Sequence, residues 1–362
     1  MSAHRTRLAA FAVAAAALAA TTSACALRDA IAARLVRRAV EANLRTSLLD
    51  DLPDGLHVGL CGAGSPLPDP ERGGPCAVVV AGRRVFVVDA GANASRTLAR
   101  MRVPQGAIEA VFLTHFHSDH IDGLGELMLQ RWVNGNAAAP LPVHGPTGVE
   151  RVVAGLREAY ALDAGYRVAH HGEAVVPRAG AGGEARAFAE PPDGESAVLL
   201  DDGGVRVVAF RVDHAPVSPA VGYRFEYGGR AVAISGDTKR SANVERFARG
   251  VDVLVHEALA PRIVAWMTEA AEAAERPAVA KITRDILDYH TTPVEAAQSA
   301  SAAGARHLLL THVVPPLPIS LLEGVFLEGV ADAFDGGVTL GRDGVLASCA
   351  TGGDEVEIRD LL

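Results

Sequence analysis

Short apolar runs recur along this chain, and several of them stop at a histidine or an acidic residue. Ala110-Val111-Phe112-Leu113 leads into Thr114-His115, and Val205 to Val212 leads into Asp213-His214. Arg230 to Ser235 leads into Gly236-Asp237, Val251 to Val255 into His256-Glu257, and His307 to Thr311 into His312. Runs of this length bounded by turn residues predict buried strands. Polar residues repeated at their ends predict convergence on one sheet edge. Further strands are predicted at Leu56–Leu60, Ala77–Val80, Arg84–Val88 and Leu141–His144, with a hairpin about Gly228-Gly229. Apolar stripes at helical spacing predict helices over Leu124–Trp132 and Val149–Tyr160. A third helix is predicted over Pro293–Ala303: Thr292 and Glu295 form a capping box, Pro293 takes the first helical position and Gly304 ends it. Arg178–Glu195 reads as a long loop or hairpin, and Val338–Ala347 as a closing hairpin.

The first residues follow a different pattern. Arg5 and Arg7 precede a 13-residue apolar run, Leu8–Ala20, and small residues continue to Ala26. This predicts a signal peptide or an N-terminal membrane or lipid anchor over residues 1–26, and hence an exported protein, periplasmic or membrane-anchored. The run is shorter than the ~20 residues a spanning helix takes. Ala24-Cys25-Ala26 offers a cleavage site, and Thr22-Ser23-Ala24-Cys25 resembles a lipobox with Cys25 as the lipidated residue. Residues 27–52 predict a basic amphipathic helix and linker. Its Leu27, Ile31 and Leu35 recur at helical spacing among Arg28, Arg34, Arg37, Arg38 and Arg45, a pattern suited to membrane-surface contact through residues 27–45. The globular domain is expected over residues 53–362.

Composition narrows the picture. The chain has 362 residues, 49% of them apolar and 21% charged, enough to bury a sizeable core. A formal charge of -9 disfavours a general nucleic-acid binder built on a basic face. The four cysteines, Cys25, Cys61, Cys76 and Cys349, form no C-x-x-C pair, which argues against a thiolate zinc site. Cys61 and Cys76 are either a disulfide closing a Gly/Pro-rich loop or two buried thiols. The Gly-rich turn Cys61–Pro66 lacks the lysine of a phosphate-binding loop.

The strongest chemical signal is His115-Phe-His117-Ser-Asp119-His120 directly after a predicted strand. Imidazole nitrogen and carboxylate oxygen are what zinc and related ions bind, and short spacing lets one turn supply several ligands. Asp89, at another strand end before Gly91, is placed either to orient a ligand histidine or to close an Asx turn.

With His214, Asp237 and His312 added, the chain resembles the metallo-β-lactamase superfamily. Within it the resemblance is to the ribonuclease Z and arylsulfatase-like branch, carried by Leu60–Pro66, His144-Gly-Pro146, Ser235-Gly-Asp-Thr238 and His290-Thr-Thr292. The resemblance implies an α/β (α+β layered) fold, an αββα sandwich with a dinuclear metal site at one sheet edge. One metal would take His115, His117 and His214; the other would take Asp119, His120 and His312; Asp237 would bridge them. Two divalent ions are implied, zinc first, with manganese or iron as alternatives. Asp119, His290 and Glu257 are the candidate catalytic residues: by the resemblance His290 would protonate the leaving group, the alternative being a helix-capping histidine without a chemical role, and Glu257 would orient His290 or a ligand. The expected reaction is attack by a metal-bridging hydroxide on a phosphodiester, sulfate ester or similar small ester. Arm-bearing ribonuclease Z enzymes grip tRNA through an insert, whereas only 22 residues separate His214 from Asp237 here. That span, the net charge and the leader together predict a small-molecule ester substrate rather than tRNA. The alternative readings are a ribonuclease Z-like endoribonuclease, a lactonase or β-lactamase, and a metal-binding module without turnover.

Overall fold

The computed structural model describes residues 27–41 and 45–362, so the expected leader over 1–26 lies outside the described residues. The chain divides into two compact units, Met1–Asp50 and Asp51–Leu362. In the first, residues 27–41 are helical, and Leu27, Ile31, Leu35, Val36 and Val40 are exposed.

The second unit is built on two sheets. One has eight strands in the order Glu357–Asp360, Val345–Ala350, Gly55–Gly62, Cys76–Ala81, Arg84–Val88, Ile108–Phe112, Leu141–Pro146 and Gly183–Phe188. The other has seven, in the order Gly337–Leu340, His307–Val314, Val253–Leu259, Arg230–Ile234, Val221–Tyr227, Val205–Arg211 and Ser196–Asp202. Alternation along the strands explains the layering. Val221, Tyr223 and Phe225 meet Val79, Phe86 and Phe112 of the first sheet in one core cluster. Leu308 and Leu310 face the other way, with Ala296, Ala297 and Ala300 of helix Pro293–Ala303, while Leu309 between them joins the inter-sheet core. Period-two patterning thus buries both faces, as sheets covered by helices require. Each large apolar side chain buried this way contributes about 1.5–3 kcal/mol. This is the expected αββα sandwich.

Local sequence sets the turns. Gly228 and Gly229 both have positive φ, 56° and 78°, which a tight two-residue hairpin turn between Tyr227 and Arg230 demands. The Thr292–Glu295 capping box forms in both directions, and Gly304 closes that helix at φ 64°.

Two expectations need correction, and two helices come in addition. Val338–Ala347 is not a hairpin: Gly337–Leu340 pairs in parallel with His307–Val314 in one sheet, and Val345–Ala350 pairs with Gly55–Gly62 in the other. Within Arg178–Glu195 a strand, Gly183–Phe188, adds to the sheet edge beside Leu141–Pro146. Its alternating charges, Glu184 and Arg186, are edge-strand chemistry that reads like a loop. Helices Pro261–Ala273 and Pro277–Asp285 each start with proline at the first turn and had no counterpart in the sequence reading. The question left open by the cysteines is resolved: Cys61 and Cys76 form a disulfide, and Cys349 is free and buried.

Candidate metal centre

The polar residues gather where strands end. His115 and His117 follow strand Ile108–Phe112, and Asp119 and His120 lie in the helical turn Ser118–Ile121. His214 follows Val205–Arg211, and Asp237 follows Arg230–Ile234. His312 differs from expectation. Strand His307–Val314 runs past it, and the register slips there: Thr311 pairs with Glu257 and Val313 with Ala258. His312 is therefore the extra residue of a β-bulge, with φ 44°. A bulge re-aims one side chain without ending the strand. Asp89 is a second non-glycine residue in the left-handed region at this site, with φ 57°.

Asp237 sits at the middle. Its Oδ2 lies 3.2 Å from His312 Nε2, 3.4 Å from His120 Nε2, 3.8 Å from His214 Nε2 and 3.9 Å from His115 Nε2. Asp119 Oδ2 is 3.4 Å from His312 Nε2 and 3.7 Å from His120 Nε2. The atoms that could hold a metal ion form one group of His115, His117, His214 and Asp237 and another of Asp119, His120 and His312. His290 joins Asp237 and His312 in a third.

Three imidazoles are turned so that one nitrogen lone pair faces this centre. His120 donates its Nδ1 hydrogen to Asp89 Oδ2 at 2.8 Å. Thr114 donates its backbone N–H to Asp89 Oδ1 and its hydroxyl to Asp89 Oδ2, both at 2.8 Å. With that hydroxyl hydrogen engaged, Thr114 Oγ1 accepts from His115 Nδ1 at 3.0 Å. His214 donates from Nδ1 to the Tyr289 carbonyl at 3.0 Å. Each Nδ1–H so held leaves an Nε2 free to ligate, the usual support of a metal-binding histidine. His214 Nε2 also faces His117 Nδ1 at 3.5 Å.

The buried atoms fit a divalent metal. His115 Nε2, His120 Nε2, His312 Nε2, Asp119 Oδ2 and Asp237 Oδ1 are buried and have no hydrogen-bond partner. Leaving that many polar atoms unpaired costs free energy that cations would offset. Burial pushes His115, His117 and His214 toward the neutral form, the one that binds metal. For Asp237, burial favours the neutral acid, but the imidazoles of His312 and His120 overcome it and hold the carboxyl well below the usual range.

Glu257 and His290 stand beside the centre. His290 donates from Nδ1 to Glu257 Oε1 at 2.9 Å, and Glu257 Oε1 also accepts the backbone N–H of Thr238 at 3.0 Å. Burial opposes a charged His290, but Glu257 outweighs it and lifts the ring to about 9. The Tyr289 carbonyl and the Thr114 hydroxyl were not foreseen as parts of the site. A backbone carbonyl has no sequence signature, and a threonine before a histidine is common.

Two stacked sheets whose strand ends carry buried histidines and aspartates define a metallo-hydrolase architecture. The profile of the Metallo-beta-lactamase superfamily matches residues 69–283. The Ribonuclease Z of Mycobacterium bovis is 35% identical over 294 residues, covering 80% of this chain and 96% of that protein. The Ribonuclease Z of Mycolicibacterium paratuberculosis is 36% identical over 290 residues, with the same coverage, 80% and 96%. Among solved structures, human tRNase Z, short form, has a TM-score of 0.57 and 22% identity, covering 81% of this chain and 98% of that one. The metallo-beta-lactamase fold protein YhfI from Bacillus subtilis has a TM-score of 0.55 and 20% identity, covering 81% and 99%. The chain belongs to the metallo-beta-lactamase superfamily, in its ribonuclease Z branch.

These relatives correct the expected partner, a small-molecule ester with tRNA set aside. Proteins similar over four-fifths of the chain are named ribonuclease Z, and a fold neighbour is named a tRNase Z. The physical reason is that net charge is summed over the whole surface. A phosphate at this site would be met locally, where divalent ions would be the largest charges. The short His214–Asp237 span shows that no arm is inserted there, and says nothing about other ways to hold RNA.

Proposed function

We propose that this protein is a metal-dependent endoribonuclease that hydrolyses a phosphodiester bond in tRNA or a tRNA-like RNA. One observation carries the reading: a buried Asp237 ringed by unpartnered imidazole nitrogens, in a chain 35% identical to ribonuclease Z across 80% of its length. His115, His117 and His214 would hold one ion and Asp119, His120 and His312 the other, with Asp237 shared between them. The nitrogen and oxygen donor set suits zinc, with manganese or iron as alternatives. Ions held there would supply a nucleophile at neutral pH and Lewis-acid stabilisation of developing charge.

The chain's own residues do the rest. Asp89 and Thr114 lock His115 and His120 in one tautomer, so the ligand nitrogens stay aimed. Glu257 keeps His290 protonated, and His290 lines the cleft that opens onto the centre. From there it can pass a proton to the departing oxygen, the task of a general acid. Asp119 lines the same cleft, with its Oδ2 3.4 Å from the His312 Nε2 that also faces Asp237.

A substrate screen tests this reading. The metal-loaded protein is expected to cut a tRNA transcript and to leave a lactone and nitrocefin intact. Turnover of either carbonyl substrate with no RNA cleavage would move the protein to acyl chemistry.

A further inference from the structure

The cleft over the metal centre has two unlike walls. One carries His117, Asp119, Asp237 and His312. The other carries Met267, Val279, Ile282, Ile286 and Tyr289, from the two helices Pro261–Ala273 and Pro277–Asp285 and the segment after them. Val279 is 40% exposed and Ile282 60% exposed. Exposed branched aliphatics gathered over a charged centre are costly to leave in water and mark a contact surface.

The wall is held in place. Thr268 of the first helix donates its hydroxyl to Thr283 of the second at 2.7 Å. Ile286 packs on Leu259, Val264 and Val314, which ties the far end to two strands of the sandwich. Tyr289 lies against His290, ring centroids 4.8 Å apart, and its carbonyl orients His214. Wall and metal centre are therefore in fixed register.

We propose that this aliphatic wall receives the base of one nucleotide flanking the scissile phosphate, and so acts as the specificity surface of the site. The inference rests on the RNA-cleaving reading above. A nucleotide matches the cleft: its phosphate belongs at the charged wall and its flat base at the apolar one. The cleft volume, about 480 Å³, lies in the small-ligand range. That is room for one nucleoside. Met267, Val279, Ile282 and Ile286 offer no hydrogen bond, and the Thr283 hydroxyl is already engaged with Thr268 and backbone carbonyls, which leaves the Tyr289 phenol as a polar group on this wall. The wall therefore meets a base chiefly by its face, with Tyr289 as its aromatic member.

The test compares kcat/KM on a tRNA transcript with that on transcripts made abasic just 5′ or just 3′ of the cut. The wild-type chain should lose about ten-fold at one of the two positions. Ile282→Asp should lose about ten-fold on the intact transcript, and the abasic change should then cost it nothing further. Ile282→Ser serves as a milder variant, and unchanged metal content in both shows that the centre is intact. Wild-type cleavage indifferent to both abasic positions overturns the wall while leaving the RNA reading standing. So does an undiminished abasic penalty in Ile282→Asp. Failure to cut any RNA overturns the reading, and the wall with it.

Discussion

Glu257 Oε1 accepts the Nδ1 hydrogen of His290 at 2.9 Å, with the His290 side chain 7% and the Glu257 side chain 1% exposed. A buried carboxylate in contact with an imidazole favours the charged ring, which explains the rise to about 9 despite burial. A general acid loses function as pH rises through its own pKa. Wild-type activity should therefore persist into mildly alkaline solution. Glu257→Gln removes the charge that supports the ring. It should lower kcat by roughly 10²–10³ and move the alkaline limb of the pH–rate profile to lower pH. An unmoved limb with normal kcat would show that the pair serves structure alone.

Asp237 faces four imidazole nitrogens within 4 Å, a donor set that divalent cations would complete. Adding zinc at 100 to 1,000 times its Kd should stabilise the chelated protein by about 2.7–4.1 kcal/mol. Calorimetry would read this as a rise in Tm. Asp237→Ala should bind less metal and show a much smaller rise. An equal rise in the variant would remove Asp237 from the ligand set.

The Cys61–Cys76 disulfide closes a short loop, with a sequence separation of 15. Chain-entropy reasoning gives about 3 kcal/mol for a loop of that size. Cys61→Ser with Cys76→Ser should lower stability to denaturant by roughly that amount. The loop also carries Ser65, Pro66 and Leu67 to the rim of the cleft. KM for RNA should therefore rise in the double variant more than kcat falls. A variant as stable as the parent would mean that packing alone holds the loop.

His144 stacks on Phe112 with ring centroids 4.8 Å apart, and burial pushes its pKa down to about 4. The ring is thus neutral when folded and takes up a proton more readily when unfolded. Its contribution is fully present above pH 6.5 and is lost as pH falls toward 4. His144→Phe should flatten the stability–pH curve across that window. Equal slopes for parent and variant, measured by denaturant melts at pH 7 and pH 5, would contradict this.

The metal centre was legible in the sequence where its residues are contiguous or end an apolar run. His115 to His120 supplies four of the seven proposed ligands from a single segment, and His214 and Asp237 follow strands as their patterns implied. His312 was legible as a residue but not as a bulge, because register depends on the neighbouring strand. The Gly183–Phe188 strand was hidden because an edge strand carries charge on one face. The aliphatic wall was hidden for another reason. Val279, Ile282 and Ile286 look like the apolar stripe of a core-packed helix, and only the fold shows that Ile282 faces open space over the metal centre. The expectation of a small-molecule ester leaned on net charge, the short His214–Asp237 span and the leader, none of which reports how a phosphate is met at the site itself.

The central claim is most directly tested by mapping the ends of a labelled tRNA transcript with flanking sequence on both sides. The purified chain would be used zinc-loaded, chelated, and as Asp237→Asn. The account predicts one metal-dependent cut with the loaded wild type and at least a 10²-fold slower reaction with the other two. An intact transcript after incubation with protein that demonstrably holds metal, or equal cleavage by Asp237→Asn, would contradict it.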